Sequence, residues 1–173
     1  MRIATFVVMA NLALAGSVGF AQTVNYDFDR TADFTRFTSY AWVDGTPLSD
    51  PLNHERVVNA VESQLAMKGF NKVASGRPDV FVAYHVTFAR DVQFTGSSTG
   101  WGPYGLGNRS GTIRSQQVLV GTLTLEMVNA ATNKVVWRGS ASMDIDTKAN
   151  PEKREKSINK AAEKLFRNYP RPR

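Results

Sequence analysis

The sequence predicts an α+β fold: an antiparallel or mixed β-sheet with two α-helices packed on one face. Three observations carry this. Two long runs of alternating apolar and polar residues, 116–128 and 134–145, flank a short polar loop, the mark of a β-hairpin. A third alternating run, 79–94, precedes them. Two segments, 52–68 and 151–167, instead space their apolar residues for a helix, each with a proline at its start.

Taken in order, Arg2 precedes an apolar run over 3–15, and Gly19-Phe20-Ala21 sets small residues three before and one before a cut. This is the pattern of a secretory signal peptide cleaved after Ala21. A membrane-spanning helix needs about 20 apolar residues, and Gly16, Ser17 and Gly19 break this run. The expected organisation is a signal peptide over 1–21 and one domain over 22–173, since one domain is the prior for this length.

Residues 24–28 alternate and read as a strand, as do 39–43, which stop at the Asp44-Gly45 turn signal. The first helix has Asp50 or Asn53 to cap it and Pro51 at its first position. Val57, Val58, Val61, Leu65 and Lys68 fall on one stripe, and Gly69 is the C-terminal cap. A brief strand over 70–73 and a turn over 75–78 follow. In the strand 79–94, Val80, Val82, Tyr84, Val86 and Phe88 share one face and Phe81, Ala83, His85 and Thr87 the other; one face reads as core and the other as half-buried. Leu119, Gly121, Leu123, Leu125 and Met127 line the core face of the next strand. Val135, Trp137, Gly139, Ala141, Met143 and Ile145 do so on the return. The last helix has Asn150 as cap and Pro151 as first residue, with Ile158, Ala161, Ala162, Leu165 and Phe166 as its apolar stripe.

Composition narrows the chemistry. The chain has no cysteine, which excludes disulfides, thiolate metal sites and a thiol nucleophile. Hydrophobic residues make up 42%, enough for one core and against bulk disorder. A net charge of +6 permits anionic partners, but an exported chain argues against nucleic acid.

No motif assembles an active site. His54 and His85 lie outside any H-E-x-x-H pattern, and neither has an evident orienting partner. Asp27 with Asp29, and Asp144 with Asp146, share strand faces, yet no calcium-loop spacing accompanies them; guarding a sheet edge is the favoured role. No G-x-S-x-G elbow exists. The most unusual stretch is 95–115, a loop holding six of the 13 glycines with Trp101, Tyr104, Arg109 and Arg114. Long loops of this kind are functional or disordered. Aromatic rings beside arginines suit a glycan, a peptide or a partner surface. The competing reading is a flexible hairpin tip without a ligand. Finally, Lys153, Lys156, Lys160, Lys164 and Arg167 form a basic stripe on the last helix, diluted by Glu152, Glu155 and Glu163.

Several short motifs occur in a fixed order. They are Tyr26-Asp27-Phe28-Asp29, Ala32-Asp33-Phe34, Phe37, Tyr40-Ala41-Trp42, Lys68-Gly69-Phe70, Pro78-Asp79-Val80 and Val135-Val136-Trp137-Arg138-Gly139. From Val24 to Phe166 this order resembles the domain of unknown function 4136 family, found in bacterial lipoprotein-like envelope proteins. The resemblance implies an α+β sandwich at the cell envelope. It implies no established activity, so no catalytic or binding residue is carried over. The chain lacks the lipobox cysteine of many such relatives, which favours a soluble periplasmic or secreted form.

The expected function is therefore a non-enzymatic exported envelope protein that binds or scaffolds an envelope protein or a glycan. No cofactor, metal or nucleic acid is expected. Two alternatives stay open. One is a periplasmic hydrolase using Asp and His groups, which needs His85 and a carboxylate within hydrogen-bond reach. The other is a peripheral binder of anionic membrane surface through the basic helix.

Overall fold

The computed structural model describes residues 23–74, 76–99 and 110–170; the signal peptide expected over 1–21 lies outside them. Six strands and two helices follow in order: β1 (Val24–Phe28), β2 (Ser39–Trp42), α1 (Pro51–Met67), β3 (Asn71–Lys72), β4 (Val80–Thr99), β5 (Ser110–Asn129), β6 (Lys134–Asp144) and α2 (Pro151–Arg167). A single 3-10 turn, Phe34–Arg36, precedes β2. The strands form one sheet in the order β1-β6-β5-β4-β2-β3. β2 runs parallel to β3 and β4; the other pairs are antiparallel. The sheet is mixed, as the sequence predicts.

Both helices begin as their sequences dictate. Asp50 accepts from the backbone N–H groups of Leu52 and Asn53, and Asn150 accepts from that of Lys153, each just ahead of a proline. Lys68 closes α1, and Gly69 follows at φ +86°, the left-handed position that favours glycine. The buried residues of α1 are Val57, Ala60, Val61 and Leu65; those of α2 are Ala161, Ala162, Leu165 and Phe166. They join Val80, Val82 and Tyr84 of β4, Leu123, Leu125 and Met127 of β5, and Trp137 and Ala141 of β6 in one core. Both helices therefore cover the same face. Each large side chain taken out of water there contributes about 1.5–3 kcal/mol. No helix among the described residues is long and apolar enough to cross a membrane.

The structure departs from the sequence reading at three places and adds a contact at a fourth. Val135 is exposed and Val136 buried, the reverse of the expected alternation. The cause is a β-bulge: Met127 faces Trp137 but Val128 faces Val135, so Val136 is one residue too many and the pleat shifts. β2 stops just ahead of Asp44-Gly45, as the sequence predicts, but the chain then touches β4 again. Trp42 is opposite Val82 while Thr46 bridges His85, so the chain carries one extra residue and then rejoins β4. Val43 N–H donates to the Val82 carbonyl and Thr46 N–H to that of Tyr84, at 2.9 and 3.1 Å. The strand expected over 70–73 shrinks to Asn71–Lys72. Lastly, β4 and β5 continue well into the expected 95–115 loop, reaching Thr99 and resuming at Ser110.

Asp79 ties the entry of β4 to that of β2. One carboxylate oxygen accepts from the backbone N–H and hydroxyl groups of Thr38 and Ser39, at 2.8–3.2 Å. The Thr38 N–H is the largest cause holding the carboxyl below its ordinary value, with the Ser39 groups and the Thr38 hydroxyl adding to it against a partial burial that opposes them. A folded value below the unfolded one gives stability that is full above the unfolded value and lost as pH falls through the folded one. The Asp79→Asn variant should accordingly show a flatter acid limb than wild type in urea melts taken across that range. Parallel limbs would show that this carboxylate does not report on folding.

Candidate functional site

Three surfaces carry chemistry. The first is the ribbon made by the outer halves of β4 and β5. β2 pairs with β4 only as far as Trp42 opposite Val82, with one further bridge at Thr46 and His85. β6 pairs with β5 only as far as Asp144 opposite Val120. Beyond that, β4 and β5 pair with each other through Thr99 opposite Ser110, and have no other strand neighbour among the described residues. Arg90–Thr99 and Ser110–Leu119, ten residues of each strand, project about 33 Å, with Phe88 at the root opposite Gly121. Phe88 and Val92 lie on the continuation of the core face, yet they are 55% and 46% exposed because neither helix covers them.

This ribbon carries the segment singled out by sequence. Arg114 lies in β5 opposite Thr95. Trp101, Tyr104 and Arg109 lie outside the described residues. What the sequence reading takes as one long loop is in its greater part paired strand. Its glycine content conceals this, because Gly96 and Gly111 sit inside the ladder, opposite Ile113 and Ser98.

The second surface is a cleft of about 500 Å³ between the β2 bulge and the start of α1. Trp42, Asp44, Pro47, His54 and Tyr84 are among the residues that line it. Trp42 and Tyr84 meet edge to face, with centroids 6.1 Å apart at 85°. Three of the polar atoms of these rings are held by the protein. Trp42 Nε1 donates to Glu62 at 2.8 Å, and His54 Nδ1 is hydrogen-bonded to the Tyr84 hydroxyl. Burial pushes the Tyr84 phenol up, a Leu48 backbone hydrogen bond opposing it. Burial also raises Glu62, but hydrogen bonds from Lys72 and Trp42 and the Lys72 charge outweigh it, and the net direction is down. A charged Glu62 thus fixes the indole. The sequence shows each aromatic residue on its own element; what it does not show is that a strand end, a bulge and a first helical turn converge.

The third surface is a groove of about 1090 Å³ between α1 and α2. Glu55, Glu152, Glu155 and Glu163 line it together with Arg56, Lys156 and Lys160. The basic stripe of α2 thus faces interleaved acids. Lys153 is further engaged by Asp146 at 2.7 Å, and Arg167 by Glu163 at 3.6 Å.

The remaining candidates are placed as follows. His85 Nδ1 is hydrogen-bonded to the Thr46 hydroxyl at 3.0 Å, and it sits on the sheet face opposite to Tyr84. Asp29 lies past the end of β1 and accepts from the Thr31 N–H and hydroxyl at 2.8 and 2.6 Å. Asp146 accepts from Lys148 N–H and Lys153 Nζ. Asp27 pairs across the sheet with Arg138. Neither Asp pair is gathered with a histidine: among the described residues no group of three His, Asp or Glu side chains could hold a metal ion.

No curated protein matches this chain. Among solved structures, a PDZ domain protein from Parabacteroides distasonis superposes with a TM-score of 0.55 at 11% identity, over 88% of this chain and 37% of that one. This chain therefore spans little more than a third of that protein. A PelC dodecamer from Paraburkholderia phytofirmans superposes with a TM-score of 0.52 at 12% identity, over 84% of this chain and 95% of that one. At these identities the likeness is one of fold. A family model described as a domain of unknown function, DUF4136, matches residues 24–171, and the chain belongs to that family.

Proposed function

We propose that this protein is a non-enzymatic exported envelope protein that binds or scaffolds another envelope component through the β4–β5 ribbon. The observation that carries the reading is the ribbon itself. An isolated two-stranded ribbon is marginal in water, and this one adds open strand edges and uncovered Phe88 and Val92. Such edges and apolar side chains are what a partner strand or apolar surface pairs with. PelC, whose fold this chain shares, assembles as a dodecamer; that precedent supports reading the ribbon as an assembly surface, for further copies or for another envelope protein. The export half of the proposal rests on the leader pattern ending at Ala21.

The hydrolase reading has less support, because the hydrogen bonds of both histidine rings go to hydroxyls of Tyr84 and Thr46. The membrane reading is weakened by the acids interleaved with the lysines of α2.

The test is crosslinked affinity capture from envelope extract, with sedimentation of the purified protein beside it. The Phe88→Ser, Val92→Ser double variant should lose at least about tenfold of the captured partner, or fall to a smaller oligomer, with its melting temperature little changed, since both side chains are exposed. Capture and sedimentation equal to wild type would remove the ribbon from the proposal.

A further inference from the structure

We propose that the cleft between the β2 bulge and α1 is a binding site for a small organic cation of the alkylammonium class. The site is distinct from the ribbon. Its lining combines the Trp42, His54 and Tyr84 rings with Val43, Pro47, Val58 and Asp44. Trp42 Nε1 is held by Glu62, and the Tyr84 hydroxyl by His54. Trp42 and Tyr84 stand at 85° to each other, which makes an aromatic corner, and His54 lies 5.7 Å from Tyr84 between centroids. Tyr84 is buried and backs the corner, while Trp42 is only partly buried; ring faces are negative, so a cation is drawn to the indole.

The charge of the cleft agrees. Asp44 lines it, and among the described residues no lysine or arginine does. Asp44 owes its place to the bulge: one extra residue between Trp42 and Thr46 lifts it from the ladder beside the corner. Bulges are a recurrent means of re-aiming a side chain beside a functional site. A compact ammonium with methyl groups gains both the ring faces and the carboxylate.

Choline is the probe, and 3,3-dimethyl-1-butanol, the same shape without charge, is its control. The indole N–H signal of Trp42, assigned with a Trp42→Phe variant, is followed in ¹H–¹⁵N spectra of the intact protein. Choline should shift it saturably, and the neutral isostere should bind at least about tenfold more weakly. Asp44→Asn, at an exposed position, should weaken choline severalfold with no change in melting temperature. Equal binding of the two probes would make the cleft merely apolar and overturn the proposal. So would an unmoved Trp42 signal, or an Asp44→Asn variant that folds normally and binds choline as wild type does.

Discussion

Replacing Gly45 by alanine is expected to destabilise the protein by about 3 kcal/mol, near the top of the range for forced overpacking. For a domain of this size that lowers the melting temperature by about 6–12 °C. A Cβ at Gly45 would stand 2.1 Å from the carbonyl oxygen of Tyr84, 3.0 Å from its carbonyl carbon and 3.2 Å from its nitrogen. All three are backbone atoms of a central strand, so no rotamer change relieves the clash. The chain must lift away from β4, and the hydrogen bonds from Val43 to Val82 and from Thr46 to Tyr84 go with it. Gly69 gives the contrast. Nothing lies within 4 Å of a Cβ there, and only its φ of +86° is adverse, so Gly69→Ala should cost about 1 kcal/mol. Thermal melts by circular dichroism compare the two. Equal losses would mean that the close approach of the bulge to β4 is not maintained in solution.

Trp137→Ala is the second large effect, a loss of about 3–5 kcal/mol in urea denaturation. Trp137 is fully buried, stacks on Phe166 with centroids 5.5 Å apart at 23°, and meets Tyr169 at 5.6 Å. Removing it opens a cavity where β6 meets α2. Trp137→Phe should cost far less than Trp137→Ala. It keeps a ring against Phe166 and removes a buried indole N–H that has no hydrogen-bond partner among the described residues. Gly139 makes a sharper test. An added Cβ would sit 2.6 Å from Cη2 and 2.9 Å from Cζ2 of Trp137, atoms a phenylalanine lacks, and 3.2 Å from Leu165 Cδ2. Gly139→Ala should thus be costly alone and milder by about 1 kcal/mol in the Trp137→Phe background. Strict additivity would show that the indole is not what keeps position 139 bare.

Most of the fold is legible in the sequence because its signals are local. The caps at Asp50 and Asn150, the prolines after them and the period-two runs around Leu123 and Trp137 each act within a few residues. They reappear with nearly the same boundaries in α1, β6 and α2, and β5 keeps its C-terminal end while starting earlier. The misreadings are non-local. Val135 and Val136 are chemically equal, and only the register across β5 decides which is buried. Asp44-Gly45 does end β2, but that its neighbours Val43 and Thr46 bond back to Val82 and Tyr84 depends on β4, far away in sequence. Of the candidate surfaces, the ribbon is foreshadowed by its unusual composition. The cleft is not, because its rings come from β2, α1 and β4 and meet only after the chain has folded.

The strand order bears on how the chain assembles. β4, β5 and β6 form a meander of neighbouring strands whose pairings close short loops, and contacts of that kind form early. β1 lies at the far edge, beside β6: Val24 is opposite Ala141, more than a hundred residues later. Its partner does not exist until almost the whole domain has been synthesised. Closing so long a loop adds little to the equilibrium cost, since that cost rises only with the logarithm of length, but it places the event late. Nascent β1 must wait with Val24, Tyr26 and Phe28 uncovered, and the interposed Asn25 and Asp27 keep the waiting segment from being a continuous apolar run. Of the described strands, β1 is the first to be made, and β6, the only strand it pairs with among them, is the last.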